Sequence, residues 1–419
     1  MKARIAVVAF AYYPRDPRVR RETEALIEAG HCVDVICLRG TGEAEKEIVR
    51  GAQVYRLPLE HKRAGRLRYL WAYLYFILLA FFTLSILYMR KRYHLIHAHN
   101  MPDALVFSAL LPRLCGCKMI LDLHDPMPEV YMSKYLVEAT HPIIRLIRLM
   151  ERCSIRFSDL VLTVNAACRE LFISRGCPQS KIHVIMNLPQ DSVFSTDRAE
   201  PFRSGRAGPA GPDGINPEVT GKKNAFVVMC HGTIVERNGL GVALEAIERV
   251  RHRIPNLVFE IYGEGDFLER FLELAKAKNL GRIINYHGFV GHEKIAQAVR
   301  SIDVGLIPNV STAHWEYATP TRMFEYLYLG KPVIVPRTKA IVDCFDGESL
   351  YFFESGNADS LADVLFGVYA NPDRVRAVLA RGISICNSKY RWATEKQRLV
   401  DVVQGLLNKA HNRQEDKTS

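Results

Sequence analysis

Short apolar runs alternate with amphipathic segments along most of the 419-residue chain. In the first half, runs such as "RIAVVAF", "CVDVICL" and "KMILDLHD" have the length and composition of strands, and helical patterns lie between most of them. Parallel strands need a crossover connection, usually a helix, so this alternation predicts a parallel, doubly wound α/β sheet.

A second alternating series begins at "AFVVMCHG", after a stretch rich in Gly and Pro. We therefore predict an N-terminal domain at 1–194, a linker or loop at 195–224 and a second α/β domain at 225–386. A final amphipathic helix is predicted at 387–410, and the polar residues 411–419 are predicted to be a disordered tail. Ligands of such sheets bind at the carboxyl ends of the strands.

Residues 69–89, "YLWAYLYFILLAFFTLSILYM", form a run of 21 residues without a charge, long enough to cross a bilayer as a helix. A single span would separate strands that belong to one predicted sheet. We therefore predict a membrane-facing helix at about 68–90, with one face on the sheet and the other in the membrane interface. A buried helix or an oligomer contact is the alternative. The run is flanked by Lys62, Arg63, Arg66, Arg68, Arg90, Lys91 and Arg92.

The formal net charge of +11 fits an anionic membrane face, and no nucleic-acid-binding motif accompanies it. The N-terminus lacks the pattern of a signal peptide. The ten cysteines lack metal-site spacing, which predicts reduced, packed thiols. Together these features predict a cytoplasmic protein that is peripheral on the inner face of the cell membrane.

The segment "TPTRMFEYLYLGKPVIV" at 319–335 has the pattern of a phosphate-binding helix start. Thr319 is a candidate N-cap and Pro320 a candidate first helical residue. The backbone N–H groups of Thr321, Arg322 and Met323 would then be free for a phosphate. The Glu325 carboxylate could accept hydrogen bonds from a ribose diol; the alternative is a capped helix with a surface glutamate.

This segment resembles the C-terminal signature of family-4 glycosyltransferases, which have the GT-B fold. Other segments resemble that family in order along the chain: "YPRDPRVRRETEALIEAGHCVDVICLRG", "IHAHNMPDAL", "ILDLHDPMPE", "DLVLTVN", "VIMNLPQDSVF", "HGTIVERNGLGVALEAI", "FEIYGEGD" and "YHGFVGHEKIAQAVRSIDVGLIP". The resemblance implies two Rossmann-like domains facing each other across a cleft, with the C-terminal helix crossing back to the N-terminal domain. It also implies an acceptor-side N-terminal domain and a nucleotide-sugar-binding C-terminal domain.

The resemblance further assigns roles to residues. Glu325 matches the family's ribose-binding glutamate, and His124 matches a histidine that contacts the transferred sugar. The implied donor-binding residues are Gly232, Thr233, Gly263, Gly288, Phe289, Val290, Thr321, Arg322, Met323 and Glu325. The implied acceptor-side residues are Arg15, Arg18, His99 and Asp125, whereas Arg20 and Arg21 are predicted to be solvated helix charges.

The chain departs from the family pattern at two places. Tyr317 stands where the E-x7-E motif has its first glutamate, and Glu316 lies one position away. Thr233 and Asn238 replace the usual Arg and Lys, which leaves Arg237 as the cation of that loop. Arg237 is therefore a catalytic candidate for neutralising the donor diphosphate, with Arg322 as the rival. His97 and His99 form an H-x-H pair, but no third ligand follows at a useful spacing, so no metal is predicted.

The implied activity is retaining, metal-independent transfer of a hexose from a nucleotide sugar to a saccharide hydroxyl, with no cofactor. The predicted membrane helix favours a lipid-linked acceptor and a role in cell-surface polysaccharide or glycolipid synthesis. A nucleotide-sugar epimerase of the same fold and a non-catalytic nucleotide-sugar-binding homologue are the alternatives. A phosphorylase-like enzyme fits less well because the chain is short and shows no cofactor-lysine signature.

Overall fold

The computed structural model describes residues 2–59, 66–191, 193–194 and 225–415. Two compact units are present. The first contains Met1–Asn187 and Ala393–Ser419, and the second contains Leu188–Trp392. The predicted linker at 195–224, together with Lys62 and Arg63, lies outside the described residues.

The first unit is built on an eight-stranded sheet with the order β3-β4-β2-β1-β5-β6-β7-β8. Its strands are β1 (Arg4–Ala9), β2 (Cys32–Leu38), β3 (Lys46–Val49), β4 (Ala52–Leu57), β5 (Leu95–His99), β6 (Lys118–Leu123), β7 (Leu160–Thr163) and β8 (Ile182–Val184). All neighbouring pairs are parallel except β3 and β4, which form an antiparallel hairpin. This edge hairpin was not predicted, because "KEIV" carries two charged residues and reads as a loop.

The helices of the first unit are α1 (Pro17–Glu28), α2 (Arg66–Lys91), α3 (Leu110–Leu114), α4 (Met127–Tyr135), α5 (Pro142–Phe157), α6 (Ala166–Ser174) and α14 (Trp392–Glu415), with a 3-10 helix at Asp103–Ala109. Helix α14 returns to this unit, where the buried Glu395 accepts a 2.8 Å hydrogen bond from the Met186 backbone N–H. It continues to Glu415, five residues into the segment predicted as a disordered tail.

Helix α2 contains the uncharged run and packs along one side only. Phe76, Ala80 and Leu84 are fully buried at helical spacing. The ring of Phe76 meets that of Phe10 edge-on at 5.1 Å, directly after β1. Large apolar side chains on the opposite side are exposed, so the helix is apolar all round but buried on one face. Within the described residues, Leu70–Lys91 is the one stretch long and apolar enough to span a membrane.

The second unit contains a six-stranded parallel sheet with the order β11-β10-β9-β12-β13-β14. Its strands are β9 (Phe226–His231), β10 (Leu257–Tyr262), β11 (Ile284–Tyr286), β12 (Val304–Leu306), β13 (Val333–Pro336) and β14 (Tyr351–Phe353). Its helices are α7 (Leu240–Val250), α8 (Leu268–Ala277), α9 (His292–Arg300), α10 (Thr321–Tyr328), α11 (Lys339–Val342), α12 (Ala358–Ala370) and α13 (Pro372–Lys389), with a short 3-10 helix at Glu236–Asn238.

Each sheet has a topological switch point, from which the chain adds strands outward to either side. It lies between β1 and β5 in the first unit and between β9 and β12 in the second. Open α/β sheets bind ligands at the carboxyl ends of the strands beside such a point. The core of the second sheet is apolar, with Val228, Phe259 and Ile334 fully buried, so polar groups are concentrated where these strands end.

Candidate functional site

Glycines line the carboxyl ends of three adjacent strands in the second unit. Gly232 follows β9, Gly263 follows β10 and Gly288 follows closely after β11, each with a positive φ. A backbone hydrogen bond joins two of them, because the Gly263 N–H donates to the Gly288 carbonyl at 2.8 Å. A Cβ at Gly263 would lie 1.8 Å from the Gly232 carbonyl oxygen. Gly263 therefore allows close approach of backbone to backbone at these strand ends.

Helix α10 brings Glu325 to the end of β9. The carboxylate Oε2 lies 3.2 Å from His231 Nε2, and both residues are buried. Burial, together with the charge of Arg322, lowers the pKa of His231 to about 3, so this imidazole is neutral near pH 7. The Glu325 carboxylate oxygens are acceptors that a ribose diol could use.

The N-terminus of α10 begins one residue later than predicted. Pro320 is the N-cap, and Thr321 is the first helical residue. The prediction of Thr319 as N-cap was wrong, because Pro320 adopts an extended conformation with ψ at 118°. Thr321 and Met323 stand in the first turn. The prediction that the Met323 N–H is free was wrong, because it donates to the Pro320 carbonyl at 3.0 Å.

Arg322 is already engaged by the protein. Its guanidinium donates to the His231 carbonyl and to Asn309 Oδ1, both at 2.6 Å. Arg237, in contrast, is exposed on the 3-10 helix after β9, where its own carbonyl accepts from the Val310 N–H at 3.2 Å. Of the two candidates for a diphosphate contact, Arg237 is therefore the one whose charge faces solvent.

Departures from the family pattern have visible structural consequences. Glu316 accepts hydrogen bonds from the Ser311 hydroxyl and, at 3.1 Å, from the Lys339 N–H at the start of α11. Asn238 donates to the Thr233 carbonyl at 2.6 Å and so closes the loop after β9. Phe289 is 74% exposed between Gly288 and Val290, all three of which the resemblance assigns to donor binding.

A second cluster lies at the carboxyl ends of β5 and β6 in the first unit. His99 Nδ1 and His124 Nε2 are 2.9 Å apart, and the Asp122 carboxylate lies 3.3 and 3.4 Å from these two nitrogens. His97 Nε2 lies 3.5 Å from both Asp122 and Glu22. Burial lowers the pKa of His124 to about 3, despite Asp122, so the ring is neutral.

The two carboxylates of this cluster behave differently. Burial raises the pKa of Glu22, and the neighbouring Asp122 raises it further. Burial acts in the same direction on Asp122, but His124, His97 and His99 outweigh it and hold the pKa of Asp122 well below its ordinary value. The two pKa values are therefore shifted in opposite directions, as expected for two like charges that share a buried site.

Arginines of the predicted acceptor side are paired. Arg18 binds Asp16 at 2.9 Å and lies 3.7 Å from Asp125, whereas the exposed Arg15 lies 3.1 Å from Glu43. Burial would raise the pKa of Asp16, but Arg18 outweighs this and holds it below its ordinary value. The prediction that Arg21 is solvated was wrong: it is 5% exposed, and its guanidinium lies 3.3 Å from Asn187 Oδ1.

One group of described residues has the donor atoms of a metal site. Ligand atoms of Glu22, His99, Asp122 and His124 all lie within 4.8 Å of one another. The same atoms also pair with each other through the contacts given above. By donor type, this cluster could hold a divalent cation.

Sequence reasoning missed Glu22, Asp122, His231 and Asn309 as members of these clusters. A signal was present for Asp122, because residues two apart in a strand share a face and Asp122 is two before His124. The register of β5 against β6 then places His99 beside Asp122. Glu22 lies on α1, and only the tertiary structure brings it to these strand ends.

Both units match known family models. Residues 16–187 match the model described as "Glycosyl transferase 4-like domain", and residues 225–371 match "Glycosyl transferases group 1". Together these segments cover most of the chain, one in each unit.

Curated relatives are distant but extend over long segments. An uncharacterized glycosyltransferase of Methanocaldococcus jannaschii, MJ1607, is 24% identical over 95% of this chain and 97% of its own length. The amylovoran biosynthesis glycosyltransferase AmsK of Erwinia amylovora is 24% identical over 59% of this chain and 57% of its own. A GDP-mannose-dependent phosphatidylinositol monomannoside mannosyltransferase of Mycolicibacterium smegmatis is 22% identical over 59% of this chain and 63% of its own.

Solved structures show the same fold. A sucrose-phosphate synthase from Thermosynechococcus elongatus has a TM-score of 0.76 at 16% identity, covering 97% of this chain and all of its own. Anabaena HepE in complex with UDP has a TM-score of 0.68 at 14% identity, again covering 97% and 100%. With both family models matched in order and the GT-B fold shared, the chain belongs to the family-4 glycosyltransferases of the GT-B fold.

Proposed function

We propose that this glycosyltransferase moves a hexose from a nucleotide sugar to a hydroxyl of a lipid-linked saccharide, with retention of configuration and without a metal. The product would belong to a cell-surface polysaccharide or glycolipid. The observation that carries the proposal is the arrangement in the second unit, where Glu325, beside the neutral His231, stands at the switch point between β9 and β12.

In this proposal the nucleotide binds to the second unit. Glu325 accepts both ribose hydroxyls, and the first turn of α10, with Thr321, Arg322 and Met323, faces the diphosphate. Gly232, Thr233, Gly263, Gly288 and Val290 form the backbone floor, and the exposed Phe289 stacks on the base.

The chemistry would depend on orientation and on stabilising the leaving diphosphate. Arg237 supplies the mobile positive charge, since Arg322 is held by His231 and Asn309. In a retaining transfer of this kind, the acceptor's proton passes to the departing diphosphate oxygen as the new glycosidic bond forms. His124, neutral and held by His99, contacts the transferred sugar, while Arg15, Arg18 and Asp125 lie on the acceptor side.

Support for a lipid-linked acceptor and for a peripheral position on the inner face of the cell membrane comes from α2. Its outer face is apolar and exposed, and Arg90 follows in its last turn. The names of two relatives refer to comparable products or acceptors. One is named for amylovoran biosynthesis, and the other for a phosphatidylinositol monomannoside. HepE was solved with UDP-glucose as well as UDP.

The test is an incubation of the purified protein with a panel of radiolabelled nucleotide sugars and a bacterial membrane extract. We expect label from one donor to enter the lipid fraction, and we expect this transfer to continue when EDTA is added. Conversion of the donor to a different nucleotide sugar without acceptor would instead identify an epimerase. The anomeric configuration of the product, read by NMR, must match that of the donor for a retaining enzyme.

A nucleotide-sugar-binding protein without transferase activity is the second candidate. Tyr317 in place of the first motif glutamate, together with Thr233 and Asn238 in place of the usual cations, favours it. Saturable donor binding with neither transfer nor hydrolysis, across the whole panel and the extract, would establish this reading.

A further inference from the structure

The outer face of α2 is an exposed apolar stripe. Trp71, Leu74, Leu78, Phe82, Ile86 and Met89 follow one another at intervals of three or four residues, and each is between 44% and 69% exposed. Such spacing places them on one side of the helix, opposite the buried Phe76, Ala80 and Leu84. A stripe of this length is unusual on a water-exposed surface and marks a site of interaction.

Helix α3 extends this stripe beyond α2. The Tyr88 hydroxyl, in the last turn of α2, donates to the Cys115 carbonyl, directly after α3, at 3.3 Å. This contact brings the end of α3 beside the end of α2. The preceding residue, Leu114, is 77% exposed and adds a further exposed apolar side chain near the end of α2.

Helix α5 packs against the same 3-10 helix, Asp103–Ala109, that α2 packs against. The rings of Phe107 and Phe157 meet at 5.2 Å across this contact. The outer face of α5 exposes three apolar side chains among three exposed arginines: Leu146, Leu149 and Met150 with Arg145, Arg152 and Arg156.

The charges on these outer faces have one sign. Within the described residues of α2, α3 and α5, Glu151 is the one acid; it is fully buried and lies 3.1 Å from the Arg175 guanidinium. Among the α2 side chains that the structure describes, the exposed charged ones are Arg68 and Arg90. An apolar centre with a cationic border complements a surface that is apolar inside and anionic at its boundary.

We propose that the outer faces of α2, α3 and α5 form one docking surface for an anionic phospholipid bilayer. This three-helix face rests on the proposed function and extends it, since α5 supplies the selectivity for anionic lipid. The apolar side chains enter the interfacial region, and Arg145, Arg152 and Arg156 lie at the level of the lipid phosphates. A zwitterionic bilayer offers the apolar contact alone, so binding to it is weaker.

The experiment is sedimentation of the full chain with vesicles of phosphatidylcholine alone or mixed with phosphatidylglycerol, at low and high salt. Each arginine near an anionic surface contributes about 1 kcal/mol, which corresponds to about fivefold in partitioning at low salt. Replacement of Arg145, Arg152 and Arg156 by Gln should therefore lower binding to the mixed vesicles by about two orders of magnitude. The triple Lys variant should retain most of the binding, because the charge is kept.

A matched control removes the same charge from the second unit. Replacement of the exposed bases Lys276, Arg374 and Lys389 by Gln should leave vesicle binding within threefold of the unaltered protein. A Phe82→Ser variant should lose binding to both kinds of vesicle, with a melting temperature close to the original, because Phe82 is exposed.

Equal binding to both vesicles, or an arginine variant that binds like its control, would overturn the proposal. So would a concentration-dependent dimer that Phe82→Ser abolishes, since the face would then bind a second copy. Nucleotide binding, measured in parallel by calorimetry, separates the two proposals. Its absence contradicts the proposed function, whereas vesicle binding tests the three-helix face by itself.

Discussion

Glu325 is the residue on which nucleotide binding is predicted to depend most. Its carboxylate is buried on α10 beside His231, and we expect it to accept two hydrogen bonds from the ribose diol. A hydrogen bond to a charged group contributes about 1.5–3 kcal/mol, so Glu325→Ala should weaken nucleotide binding by about 3–6 kcal/mol. This corresponds to a rise in Kd of about 10²–10⁴-fold.

The fold should tolerate this change. His231 is kept neutral by burial, with its pKa lowered to about 3, so removing the carboxylate leaves no unpaired cation in the core. Glu325→Gln keeps one oxygen acceptor at the same place and should lose about half of the binding free energy that Ala loses.

The assay is isothermal titration of UDP, GDP and ADP, and of their sugars, into the wild-type protein and the variants. The nucleotide that binds is then compared with its 2′-deoxy analogue. The deoxy analogue should bind the Ala variant about as well as the parent nucleotide does, because the missing hydroxyl has lost its partner.

Glu316→Gln is the matched control, since Glu316 binds Ser311 and the start of α11 instead. The reasoning is refuted if Glu325→Ala binds the nucleotide within threefold of the wild type. It is also refuted if the 2′-deoxy analogue loses as much affinity in the Ala variant as in the wild type.

Three further predictions follow from the same structure. Gly239→Ala should lower the free energy of unfolding by at least about 2 kcal/mol, because the new Cβ would lie 1.8 Å from a carbonyl oxygen after β12. Gly241→Ala should not, because its Cβ would meet only the Phe267 ring, at 4.0 Å, and equal melting temperatures for the two variants would contradict the argument. Burial raises the pKa of Asp303 from 3.8 to about 6, so the folded state binds the proton more tightly and stability falls as pH rises from about 4 to 6, by at most about 3 kcal/mol. Asp303→Asn should flatten that part of the profile in urea unfolding, and an unchanged slope would show that another group titrates. His124→Ala should lower kcat about 10²-fold with little change in nucleotide Kd, because His124 is expected to position the transferred sugar rather than the nucleotide; a raised Kd at unchanged kcat would place it in nucleotide binding.

Local pattern predicted the strands that carry the site. Apolar runs such as "RIAVVAF" and "AFVVMCHG" are buried on both faces of a parallel sheet, so their hydrophobicity alone marks them as strands. The strand β3 gave no such signal, because it is exposed at an edge and carries two charged residues. The N-cap of α10 was also missed by local pattern. Pro320 occupies it in an extended conformation and makes no side-chain capping hydrogen bond.

What the sequence determined by itself is the α/β fold class, the division of the chain into two sheet-forming segments and the family motifs, because hydrophobic periodicity and turn residues act locally. Only the tertiary structure decided which polar residues share a site. Glu22 reaches Asp122 and His97 from another element, and Arg322 is taken up by His231 and Asn309. It also divided the uncharged run of α2 into a buried face and an exposed one. These outcomes depend on contacts between residues far apart in the chain, which local periodicity does not record.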